Sequence, residues 1–154
     1  MLDTSILQQV TEIFRNLEAD YTFRISYAPQ REESSQLIEF LNDFASTSIH
    51  LSVEKHEAEG DALAFDLLKN SEETGISFRG IPNGHEFTSL LLAVLNADGK
   101  GKNLPDEGIA ARIRSLSGDI RLQTYVSLTC TNCPDVVQTL NIFALLNPGI
   151  RHEM

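Results

Sequence analysis

Apolar residues recur at helical spacing at Ile6, Leu7, Val10, Ile13, Phe14 and Leu17, which predicts a helix over 4–17 opened by Asp3 or Thr4. Apolar and polar residues then alternate from Tyr21 to Tyr27, the period of a half-buried strand, until Pro29. Leu37, Ile38, Leu41 and Phe44 mark one face of a second helix over 32–46, and 49–54 alternates again as a strand. Residues 55–60 are polar and read as a loop. Weaker strands follow at 62–68 and 75–81, joined by a turn at 69–72. Pro82-Asn83-Gly84 breaks the chain before an apolar helix over 86–95.

Residues 96–105 hold Gly99, Gly101, two lysines and a proline, so the linker is placed at 99–104, dividing the chain into units 1–98 and 105–154. The second unit predicts a helix over 105–116, a strand over 119–128 and a helix over 135–146 that Asn147-Pro148-Gly149 stops. Helix, strand, helix opens both units, a weak internal repeat of one plan. The second copy breaks off at Met154 before later strands, so its sheet is expected to be incomplete. It is either a fragment or is completed on the first half or on another chain. The economical packing for this order is an α/β fold with a central sheet flanked by helices.

Composition narrows the chemistry. Of 154 residues 42% are hydrophobic and 22% charged, enough apolar material for a core. The net charge of −10 disfavours nucleic acid, whose phosphates need clustered lysine and arginine. No apolar run is long enough to span a membrane and no secretory leader is visible, so the expected location is cytoplasmic. In a reducing compartment the two cysteines suggest catalysis or metal binding rather than a permanent staple.

Those cysteines form Cys130-Thr131-Asn132-Cys133, between a predicted strand and a predicted helix. A helix N-terminus exposes backbone N–H groups and partial positive charge, which stabilises a thiolate and lowers its pKa. The three-residue offset brings both sulfurs to one side of the first turn. Cys130 is the candidate attacking thiol, exposed at the helix start; Cys133, expected to be more buried, resolves the mixed disulfide. Two alternatives stand beside this redox centre. One is zinc, although His50, His56, His85 and His152 show no paired ligand spacing; the other is two inert buried cysteines.

Residues 125–138 around Cys130-Thr131-Asn132-Cys133-Pro134, the block Gly84-His85-Glu86-Phe87-Thr88-Ser89-Leu90 and the opening Met1-Leu2-Asp3 resemble the N-terminal domain of the flavoprotein component of bacterial alkyl hydroperoxide reductases. The resemblance implies two thioredoxin-like folds in tandem, a cysteine-free one followed by a truncated one carrying the Cys-x-x-Cys. It implies that Cys130 and Cys133 are the redox pair and that Glu86 reaches toward them to exchange protons. From the residues alone Glu86 is simply an acid in the first turn of a helix. The resemblance further implies a parent enzyme, an NADH:peroxiredoxin oxidoreductase active in the response to reactive oxygen species. Its flavin module, with FAD and NADH, feeds electrons to this domain, which reduces a two-cysteine peroxiredoxin. No Gly-x-Gly-x-x-Gly occurs, so no cofactor is expected in this chain itself. A homodimer remains open. Thr131 stands where the family commonly has histidine, and no proline lies near Leu63 where the first fold usually keeps one. A docking module without chemistry and a small metal-binding regulator are the competing functions.

Overall fold

The computed structural model describes residues 2–154; Met1, the first residue of the opening block and of the expected first unit, lies outside them. The described residues fall into two compact units. The first comprises residues up to Glu73 with Arg79–Ile81, the second Thr74–Phe78 with Pro82–Met154.

In the first unit α1 (Thr4–Ile13) is capped by the Asp3 side chain, which accepts from the Ile6 backbone N–H. β1 (Tyr21–Tyr27) is followed by α2 (Glu32–Ala45), β2 (Leu51–Glu57) and β3 (Leu63–Lys69). β1 pairs in parallel with β2 and antiparallel with β3. The alternation in β1 does what its period dictates. Tyr21, Phe23 and Ile25 are fully buried, while Arg24 pairs with Asp66 and Glu73 at 2.9 and 2.6 Å. Phe44 from α2 meets Phe14 and Phe23 edge-on, with ring centroids 5.5 and 5.6 Å apart, and Phe65 from β3 closes on Phe23 at 5.9 Å. Each buried ring contributes roughly 2–3 kcal/mol through apolar area. β2 runs on to Glu57, so residues 55–57 of the stretch read as a loop are strand, and 58–60 are loop as expected. Alternation among charged side chains on an exposed face leaves no apolar period to detect.

β4 (Glu72–Arg79) gives its middle, residues 74–78, to the second unit. A 3-10 turn (Gly84–Glu86) leads into α3 (Phe87–Ala97). Then come α4 (Glu107–Arg114), β5 (Ile120–Gln123), α5 (Cys133–Leu146) and β6 (Ile150–Glu153). β6 lies between the middle of β4 and β5 and is parallel to both. The four-residue β6 is not predicted by the pattern and adds a strand where an incomplete sheet was expected. Only Ile150 and His152 of its residues turn inward, too short an alternation to stand out. The strand expected over 119–128 ends at Gln123, leaving 124–132 as the loop that carries Cys130. Residues 82–98, read in sequence with the first unit, lie in the second, where α3 packs on α5.

The internal repeat extends to strand register. Thr22 of β1 bonds Ser52 of β2, and Gln123 of β5 bonds Glu153 of β6, both across a separation of 30 residues. Each half thus spends the same length of chain on one parallel strand–helix–strand crossover.

Gly75 sits on β4 at φ +83°, where a Cβ would stand 2.8 Å from the Ile150 carbonyl oxygen and 3.4 Å from the Ala144 Cβ. Gly75→Ala is therefore expected to cost about 2 kcal/mol or more in chemical denaturation. Gly80→Ala, at φ +90° with nothing within 4 Å, is expected to cost about 1 kcal/mol. Equal losses would show that the approach of β6 to β4 does not depend on the missing side chain.

Candidate redox site

The chain makes a turn at residues 128–129 and bends at 131–132. The Cys130 backbone N–H donates to the Ser127 carbonyl at 2.9 Å, and α5 begins at Cys133 with Pro134 in its first turn. Cys130 and Cys133 are joined as a disulfide, with Cα atoms 5.5 Å apart. Both are half-buried, so Cys130 is less exposed than the sequence led one to expect. The turn at Ser127 tucks Cys130 back. Thr131 and Asn132 between them are exposed.

The cap of α5 differs from those of α1 and α4. Asp3 and Asp106 accept backbone N–H bonds at 2.9 Å and so neutralise part of their helix ends. Asn132 makes no side-chain cap bond on α5. The positive end of α5 therefore meets the cysteines without a competing capping oxygen, although Asp135 in its first turn opposes it.

The 3-10 turn is fastened to the loop that bears the pair. Gly84 has φ +56°, and a Cβ on it would lie 2.7 Å from the carbonyl oxygen of Leu128, two residues before Cys130. The His85 backbone N–H donates to the same oxygen at 3.2 Å. The turn also packs on α5. Its last residue, Glu86, is 0% exposed. Glu86 Oε2 accepts from the Ser89 hydroxyl at 2.6 Å, and Oε1 has no hydrogen-bond partner. The two elements flanking the disulfide thus hold Glu86, but neither carboxylate oxygen hydrogen-bonds a sulfur. Of the histidines weighed as zinc ligands, His50 pairs with Asp20 in the first unit at 2.8 Å, and His85 is exposed. Among the described residues, no three His, Cys, Asp or Glu converge as a metal site.

Sequence reasoning gave no role to His152, which is 0% exposed on β6. Its Nδ1 donates to Asn141 Oδ1 of α5 at 2.7 Å, and its Nε2 accepts from the Thr124 hydroxyl at 2.7 Å. The ring thereby ties the start of the cysteine loop to the redox helix. Without β6 in view, nothing in the sequence separates this histidine from a solvated terminal one. Burial pushes its pKa down to about 4, against a small opposing effect of Glu153.

A histidine whose folded pKa lies below its ordinary value stabilises the fold fully above about pH 6.5. It loses that contribution as pH falls toward 4, because the unfolded chain takes up the proton first. The loss from this residue is expected to reach about 3 kcal/mol. Denaturation at pH 7 and pH 4.5 checks it: His152→Gln should show a smaller acid loss than the parent, and equal losses would contradict the assignment.

No protein-family model matches the chain. Over all 154 residues it is 38% identical to a Bacillus subtilis protein named NADH dehydrogenase and 38% identical to the F subunit of alkyl hydroperoxide reductase of Staphylococcus epidermidis. It spans 30% of the length of each. The solved NTD_N/C domain of alkylhydroperoxide reductase AhpF from Enterococcus faecalis superposes with a TM-score of 0.88 at 31% identity, covering 100% of this chain and 79% of that one. A protein disulfide oxidoreductase from Aeropyrum pernix, 15% identical, shares the fold at a TM-score of 0.80. The mixed α/β fold is thioredoxin-like, a cysteine pair opens its redox helix, and the chain belongs to the AhpF family of alkyl hydroperoxide reductase components, over that family's N-terminal domain.

Proposed function

We propose that the chain is the dithiol relay of a larger flavoenzyme, carrying electrons from a flavin module of the same parent to a two-cysteine peroxiredoxin. The observation that carries this reading is the Cys130–Cys133 disulfide at the start of α5. In the reduced state the Cys130 thiolate attacks one sulfur of the partner's disulfide. That S–S bond breaks, a mixed disulfide forms, and the departing partner sulfur takes a proton. Cys133 then attacks the Cys130 sulfur, closing the intramolecular disulfide and releasing the second partner sulfur. The partner gains two electrons and two protons, and the flavin module returns the electrons to the pair. FAD and NADH act in the parent, with this chain holding the dithiol alone.

Glu86 is the proton-exchanging group in this scheme. Its buried carboxyl, with one oxygen unpartnered, sits on a turn fastened to both elements that carry the cysteines. The first unit contains no cysteine and serves docking or orientation. The 30-residue register repeated in both halves supports reading the chain as two copies of one plan. The net charge of −10 favours a basic partner and a rate that falls with added salt.

Cys130→Ser in the parent enzyme should lower peroxiredoxin reduction by on the order of a thousandfold, because the attacking atom is gone. Cys133→Ser should accumulate a mixed disulfide, visible as a covalent adduct on non-reducing gels. Peroxiredoxin reduction by Cys130→Ser at the parent's rate would overturn the scheme.

A further inference from the structure

The hydrogen bonds behind Glu86 have a direction. Gln138 on α5 is 7% exposed and its Nε2 donates to the Ser89 oxygen at 3.4 Å; Ser89 is 0% exposed and its hydroxyl donates onward to Glu86 Oε2 at 2.6 Å. The Gln138 amide has hydrogens to give and its bond fills the acceptor side of Ser89, so the Ser89 proton is directed at Glu86. Successive bonds aligned in this way polarise one another. Oε1, on the same carboxyl, is buried with no hydrogen-bond partner. The two oxygens are therefore inequivalent, one pinned by a donor chain and the other unclaimed.

We infer that Ser89 and Gln138 are positioning residues for Glu86: they fix Oε2 as a permanent acceptor and leave Oε1 as the atom that gains and loses the proton. This rests on the reading of Glu86 as the proton-exchanging group. The chain originates on α5, five residues beyond Cys133, so the helix that starts with one cysteine also orients the acid serving the pair. A donor chain aimed at a carboxylate favours its charged form. Removing a link takes that support away from the carboxylate. The titratable groups on the elements packed against Glu86 are His85 on its own turn, Cys133 and Asp135 on α5, and Cys130 on the adjoining loop. α3 brings none, and His152 on β6 stays neutral at the pH values concerned.

The test is the pH profile of Cys130 alkylation by iodoacetamide in the 154-residue chain carrying Cys133→Ser, so that one thiol is read. A carboxyl coupled to a thiol gives two apparent ionisations, and Glu86→Gln should reduce them to one. Ser89→Ala should keep two and move the lower one up by about one pH unit, a tenfold change in proton affinity. Gln138→Leu, which keeps the side-chain bulk, should move it the same way by less. Profiles of Ser89→Ala and Gln138→Leu that superimpose on the parent's, with that of Glu86→Gln altered, would sink the positioning role and leave Glu86 its part. A Glu86→Gln profile identical to the parent's would remove the role of Glu86, and with it this inference.

Discussion

The positive end of α5 is the interaction on which the chemistry of this chain depends. A cysteine thiol at neutral pH is mostly protonated and a poor nucleophile, so an exchange centre needs something that favours the thiolate. Thr131 between the cysteines brings no charge. What remains is the backbone: α5 opens at Cys133 with no side-chain cap bond from Asn132, whereas α1 and α4 close their ends with aspartates. The rest of the second unit can be understood as holding that helix end, the cysteine loop and a buried acid in register.

Three fastenings do so, each with a distinct physical cause. Gly84 lets a 3-10 turn approach the Leu128 carbonyl more closely than a side chain would allow. His152, kept neutral by burial, bonds the start of the cysteine loop on one side and α5 on the other. Ser89 and Gln138 tie Glu86 to α5. Leaving Glu86 Oε1 and Asn141 Nδ2 buried without partners costs stability, on the order of 1–3 kcal/mol for each such group. For Glu86, retaining that cost is intelligible if the oxygen has work to do in proton transfer. The unpartnered Asn141 amide beside His152 has no such account.

Much of the fold was legible because its elements have strong periods. The alternation of Tyr21, Phe23 and Ile25 and the helical stripe of Leu37, Leu41 and Phe44 appear in the structure as buried faces. The Cys130–Cys133 disulfide was legible in the Cys-x-x-Cys spacing together with its place between a predicted strand and a predicted helix. β6 was not, since a four-residue strand with two inward positions carries almost no periodic information, and the importance of His152 was hidden with it. The extent of β5 was overread because alternation continues through Val126 after the hydrogen-bonded ladder has ended at Gln123. Ser89 and Gln138 were invisible for a different reason: a buried serine or glutamine looks like a surface one until the packing of α3 on α5 is known.

The decisive measurement is a direct titration of the reduced pair in the folded chain, following the ultraviolet absorbance of the thiolate. One cysteine should ionise clearly below about pH 8.5, the value of a free thiol. Were both to ionise at or above that value, the helix end would not be activating either sulfur, and the chain would lack the property that the proposed relay requires.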